Sequence, residues 1–483
     1  MERDNSMKLR TLSLVLLSAG TLFAQQQKGG GGKEAGGPGE FHGELKDKTG
    51  VMMKAHMLAP NQMPPIRSLA LLLVYHGMNG NEDNYYGGTV ECLKRLKCES
   101  EFVVIAGKSK GPGWTLEDDG PITKRVIEWA KEHYPIDSRQ IFIWGSSNGA
   151  GFVGRFGWEN QDLVAAAVGY CGYYQFQSKE KLTNAADSKV EWYFVHGGND
   201  KPENASNACK QLKDMGIRYV FRQLDGYGHT DIWDGQGHPD LSVVNDCRDD
   251  YVTWLRGLRH KTMELPPKDK EQMGWFENKS KAESLLGSKG TYLNLQRIGG
   301  VAAGTAILLG LQSKNSGVRA SAAESCQHAS YGKPVAEELA RLAHDENDRV
   351  AGQSLVALGV YANWHYPEAI ESLCGVVAGE KGESSKGPSS GERLLAIEGL
   401  AKAMRLAAHG NFEDKKVWWT LVHALDDDDP KIRVTAFGAL QRANKDGFGY
   451  VPGAVPAARK DAVSKWISWV TTKCGAAPEK EAK

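Results

Sequence analysis

The stretch Gln140-Ile141-Phe142-Ile143-Trp144-Gly145-Ser146-Ser147-Asn148-Gly149-Ala150-Gly151 decides how this chain is read. Its first half is a short continuous apolar run, the pattern of a strand covered on both faces. Its second half is G-x-S-x-G, and a helix-like segment follows from Phe152. A strand that turns this tightly into a helix has room only for small residues beside the turn, and Gly145 and Gly149 supply them. Ser147 is then thrust out above the sheet edge, while Ser146 faces inward. The helix behind Ser147 turns its first N–H groups toward the hydroxyl, which places the amide of Asn148 to hold a developing oxyanion.

Outward from this turn, apolar runs at 69–75, 102–106, 163–170 and 190–196 read as further strands, and 122–134 reads as an amphipathic helix. Buried strands alternating with helices predict an α/β unit with a doubly wound, mostly parallel sheet. The segment 246–258, with Tyr251, Trp254 and Leu255 at helical spacing, closes it.

A serine hydroxyl is a poor nucleophile until a base takes its proton. Among thirteen histidines, His229 is the best placed, in the Gly-rich loop Asp225-Gly226-Tyr227-Gly228-His229-Thr230 between the strand-like 219–224 and the closing helix. His196 and His238 are its rivals. A carboxylate must hold the imidazole's tautomer and stabilise its charge, and Asp200 lies just past the strand ending Val195-His196-Gly197-Gly198. Asp225 is the alternative acid. The resulting order Ser147, Asp200, His229 is the one this type of sheet uses. Upstream, Leu71-Leu72-Leu73-Val74-Tyr75-His76-Gly77-Met78-Asn79-Gly80-Asn81 is a strand running into a loop, and the N–H of Met78 supplies the second oxyanion donor. His76 and Gly77 in that loop, and Trp114 in Gly111-Pro112-Gly113-Trp114, are expected to shape the substrate cleft, with packing against the domain as the other reading of Trp114.

The segments YHGMNGN, IFIWGSSNGAG, VHGGND and DGYGHT together resemble the α/β-hydrolase superfamily, in particular the exported esterase branch that includes feruloyl esterases and polyhydroxybutyrate-depolymerase-like proteins. The resemblance covers about residues 45 to 260. It implies hydrolysis of a carboxylic ester through an acyl-enzyme, on an ester substrate that includes polysaccharide-linked acyl groups, with no cofactor and no metal. Asn148 and Ala150 depart from the small residues usual beside the serine in that branch. Two other readings stay open: a peptidase of the same fold, and a partner-binding scaffold with a vestigial hydrolase unit.

A chain of 483 residues is long enough for two or three compact units. Lys plus Arg and Asp plus Glu both number 59, leaving no net field to draw a nucleic acid to the surface. Met7-Lys8-Leu9-Arg10 followed by the apolar run 12–23 and Ala24 reads as a signal peptide, residues 1–24, implying a secreted or periplasmic protein with no stable membrane anchor. Residues 25–44 read as a disordered Gly-rich leader, 45–261 as the catalytic unit and 262–275, with its Pro-Pro pair, as a linker. From 276 to 475 the chain turns Ala/Leu-rich and helical, and 476–483 is a tail. Four segments beginning at Val318, Val350, Glu392 and Ile432 align, with Ala322, Ser354, Ala396 and Ala436 at offset four and Cys326, Leu358, Leu400 and Leu440 at offset eight. Those offsets share one helix face, so this pattern resembles HEAT repeats, whose stacked surfaces take a protein partner or cap a neighbouring domain. Eight cysteines permit disulfides without fixing their pairing, and the absence of close Cys/His spacing argues against a structural zinc site.

Overall fold

The computed structural model describes residues 35–477, apart from 65–67, 175, 177–188, 225, 231–232, 234–240, 262–264, 266, 278, 382–386 and 408–414. Eight strands form one sheet: β1 (Gly39–Asp47), β2 (Gly50–Ala59), β3 (Leu69–Tyr75), β4 (Phe102–Gly107), β5 (Ile136–Ser146), β6 (Ala166–Tyr170), β7 (Glu191–Gly197) and β8 (Tyr219–Leu224). Their order is β1-β2-β4-β3-β5-β6-β7-β8. The β1–β2 hairpin and the β2–β4 pair are antiparallel, and every other neighbour is parallel. This is a doubly wound, mostly parallel sheet, as the alternating apolar runs predict.

The apolar strands split their side chains between two cores. Leu72 and Val74 enter one core with helices α1 (Tyr86–Arg95) and, later in the chain, Leu241–Arg256; Leu71, Leu73 and Tyr75 enter the other with α2 (Leu116–His133), α3 (Asn148–Glu159) and α4 (Glu203–Asp214). The helix Leu241–Arg256, here α5, puts Tyr251, Trp254 and Leu255 into the first core with no exposure. Two expected boundaries move. Residues 39–44, read as leader, form the start of β1, because Phe41 and Leu45 pair across to the buried Met57 and Met53 of β2. Within the expected linker, 267–274 is helical, its first turn begun by Pro267. The expected signal peptide, residues 25–34 and the end of the tail from 478 lie outside the described residues.

From Pro267 to Cys474 the regular elements among the described residues are all helices. The aligned segments lie on the helices Ser316–Ser325, Asp348–Asn363, Ser390–Ala407 and Pro430–Ala443, which pack side by side in that order. All eight residues at offsets four and eight are fully buried, and Gly359 and Gly399 sit so close that a Cβ on Gly359 would meet Gly399 Cα at 3.0 Å. Asn315, Asn347 and Asp429 accept N–H groups of the first turns of three of these helices, satisfying donors that have no partner within the helix.

The helical part is welded to the sheet. One apolar core runs continuously from β3 and α5 into the helices beyond 276. Helix Ser390–Ala407 packs against β8, the end strand. Arg222 on β8 is fully buried and binds Asp250 of α5 at 3.1 Å, the carbonyl of Asn363 at 2.6 Å and His365 Nε2 at 2.9 Å. Arg139 of β5, also buried, donates to the carbonyl of Ile298 at 3.0 Å.

Candidate active site

At the end of β5 the chain turns into α3 through Ser147, whose φ of 54° and ψ of −116° lie outside the regions an L-residue prefers. The turn is held by Ser147 N–H donating to the carbonyl of Tyr170 at 2.8 Å, and Ser146 points into the buried interior. A Cβ on Gly145 would stand 2.3 Å from the carbonyl of Gly149, and one on Gly149 the same distance from that of Tyr75, so neither position admits a side chain. Asn148 Oδ1 accepts the backbone N–H of Trp114 at 2.5 Å. This departure from the usual small residue therefore anchors a neighbouring loop.

Asp200 and His229 come together from the ends of β7 and β8. Gly198 N–H donates to Leu224 O and Asn199 N–H to Tyr227 O, tying the two loops side by side; a Cβ on Gly197 would collide with Tyr227 O at 2.4 Å. Asp200 Oδ2 then lies 2.6 Å from His229 Nδ1, turning Nε2 away from the acid. Ser147, Asp200 and His229 line one cleft of about 460 Å3, with Asn148, Gly151, Arg155, Cys171, Tyr173, Lys201 and Asn204. No hydrogen bond joins the Ser147 hydroxyl to His229 among the described residues; in ligand-free sites such bonds often tighten only around substrate. A larger cavity of about 900 Å3 opens at the other end of β7 and β8, between the sheet and the helices, and contains none of these three.

The rivals fall elsewhere. His196 is buried, its Nε2–H directed at the carbonyl of Asp200, and burial holds its pKa below the ordinary value, so it braces the acid as a neutral ring. Asp225 and His238 lie outside the described residues.

The loop expected to supply an oxyanion donor follows β3. Neither Met78 N–H nor Asn148 N–H has a hydrogen-bond acceptor among the described residues, while the next amide, Asn79, donates to Pro112 O at 2.6 Å. The residues expected to shape the cleft act from behind it. His76 is buried: Nδ1–H donates to Gly77 O at 2.6 Å, Nε2 accepts Ser109 N–H at 3.1 Å, and burial lowers its pKa. Gly77 abuts Ser147, where a Cβ would stand 3.4 Å from Ser147 Cβ. Trp114 is 1% exposed, because its Nε1–H donates to His76 O and its ring packs against Tyr75 and Phe152. None of the three is among the residues lining the cleft, and Trp114 follows the packed one of its two readings.

Sequence reading missed the cleft walls. Cys171 offers a sulfur within 4.8 Å of the Asp200 and His229 ligand atoms, and Tyr173 is 62% exposed at the rim. Both follow the carboxyl end of β6, the one available signal, since such sheets gather their sites at strand carboxyl ends.

No protein-family model matches the chain. A bifunctional acetylxylan esterase/xylanase from Neocallimastix patriciarum is 26% identical over 176 residues, 35% of this chain and 25% of that protein, so the chain spans about a quarter of this relative's length. Among solved structures, the fluorophosphonate-binding serine hydrolase F of Staphylococcus aureus is similar with TM-score 0.37 and 15% identity, covering 45% of this chain and 99% of the other. An acetyl xylan esterase from Aspergillus awamori gives 0.31 and 19%, covering 38% and 91%.

Proposed function

We propose that this chain is a serine hydrolase of carboxylic esters. The observation that carries the reading is the 2.6 Å pairing of Asp200 with His229 Nδ1 in the cleft that Ser147 enters from a strained turn. Ser147 Oγ attacks the ester carbonyl while His229 Nε2 takes its proton, and Asp200 stabilises the imidazolium. The amides of Met78 and Asn148 receive the oxyanion, and the alcohol leaves with the proton returned by His229. Water repeats the sequence on the acyl-enzyme.

The rim of Arg155, Lys201, Asn204 and Tyr173 around a small cleft suits a short acyl group on a polar, sugar-like alcohol. The acetylxylan esterase relative supports acyl groups on polysaccharide as the substrate class. The basic and apolar start of the chain supports export to the periplasm or medium. No helix among the described residues is long and apolar enough to cross a membrane. The stacked helices beyond 276 fit a HEAT-like array that takes a protein partner or caps the catalytic unit.

Ser147→Ala is the test. Hydrolysis of p-nitrophenyl acetate and covalent labelling by a fluorophosphonate should both vanish with circular dichroism unchanged, a loss of several powers of ten in rate. Undiminished turnover in that variant sinks the reading. A panel of matched esters and amides then separates esterase from peptidase action.

A further inference from the structure

We propose that a divalent transition-metal ion, zinc by its donor set, is bound between the β1–β2 hairpin and the turn after β3 by His42, His56 and Asp83, with Glu82 beside His42 as the nearest further carboxylate. The sequence gives no hint of it, since the histidines stand fourteen positions apart. The hairpin register brings them together: His42 on β1 pairs directly with His56 on β2, and their rings stack with centroids 4.7 Å apart. Glu82 and Asp83 approach from the turn. His42 Nε2 lies 3.3 Å from Glu82 Oε1 and 3.5 Å from Asp83 Oδ1, and His56 Nδ1 lies 2.9 Å from Asp83 Oδ1. A tetrahedral ion with bonds of about 2.0–2.1 Å sets its donors about 3.3–3.4 Å apart, so the His42–Asp83 and His56–Asp83 edges need adjustments of only about half an ångström, and the three ligand atoms all lie within 4.8 Å of one another.

Two further features point the same way. His56 faces a carboxylate from each ring nitrogen, with Glu40 Oε1 2.9 Å from Nε2. A neutral imidazole donates from one nitrogen only, so a metal on Nδ1 with Nε2–H on Glu40 satisfies both, the arrangement in which an outer carboxylate orients a metal-bound histidine. The charge also fits. Among the described residues, three carboxylates, Glu40, Glu82 and Asp83, face Lys54 as their one fixed cation, Glu82 being 4% exposed, and a divalent ion cancels the remaining two charges. Lys54 is exposed enough to swing aside, and the open side chains of His42 and Asp83 leave a route in.

Such an ion would pin the hairpin to the segment that continues the Met78 loop, and the inference stands whether or not the ester reading does. Full-length protein stripped with chelator should bind one equivalent of zinc by isothermal titration and gain thermal stability. His42→Ala and His56→Ala should each weaken binding at least tenfold, and Glu40→Gln about 10–100-fold. Cobalt in the unaltered protein should give the visible absorption of a tetrahedral site, a readout that needs no variant. Zinc that does not bind, or binds equally well to the His42→Ala/His56→Ala protein, overturns the proposal and leaves a histidine–carboxylate hydrogen-bond network.

Discussion

Glycine and alanine at position 147 measure the strain in the turn between β5 and α3. Both remove the hydroxyl, so its loss cancels in the comparison and only the Cβ differs. At φ 54° and ψ −116° a Cβ-bearing residue carries about 1–3 kcal/mol of backbone strain. Glycine has no such cost but loses about 0.5–1 kcal/mol more conformational entropy on folding. Ser147→Gly should therefore be more stable than Ser147→Ala by about 0.5–2 kcal/mol, the reverse of the order at an ordinary position. Urea unfolding of the two variants, followed by tryptophan fluorescence, gives the difference directly. An alanine variant more stable than the glycine one by about 0.5–1 kcal/mol would mean that the turn is unstrained and the argument from its geometry wrong.

Arg222→Met should lower stability by about 3–5 kcal/mol by leaving the largely covered Asp250 carboxylate without its cation, and Arg222→Met/Asp250→Leu should recover much of that in the same urea assay; a single variant within about 1 kcal/mol of the parent contradicts the welded junction. Burial between Arg222 and Arg218 pushes His365 down to about 3, so folding favours its neutral ring. Its contribution is complete above the ordinary value of 6.5 and is lost as pH falls from there toward 3. Solvent reaches part of the ring, so the discounted cost is about 1–2 kcal/mol at pH 5. His365→Asn should flatten the drop in urea midpoint between pH 7.5 and 5; an unchanged slope refutes this. A chain ending at His260 should aggregate or unfold, because the apolar side of α5 loses its cover; a soluble, cooperatively folding fragment would show that the shared core is dispensable.

The sheet was legible because its strands are buried on both faces and so read as unbroken apolar runs, and because Gly145 and Gly149 are dictated by backbone collisions that leave no alternative. The pairing of Asp200 with His229 followed from the same logic, each lying just beyond a strand's carboxyl end. What escaped notice depends on contacts between distant segments. Trp114 sits in a Gly-Pro-Gly loop whose sequence leaves cleft lining and packing equally open, and the carbonyl of His76 and the ring of Phe152 decide for packing. His42 and His56 have no telling spacing until a hairpin register pairs them. The weld at Arg222 was equally hidden, since an arginine in a strand reads as a solvent-facing residue until Asn363 and His365 arrive.

The cover over β8 has a bearing on how the protein is made. Strand β8 ends at Leu224, but the helix that shields it ends only at Ala407, 183 residues later. At roughly 5–20 residues per second, synthesis leaves that end strand bare for about 10–40 s. Through that interval the nascent sheet has an unpaired rim open to pairing with another chain, so its maturation calls for a holding chaperone or for swift passage out of a crowded compartment.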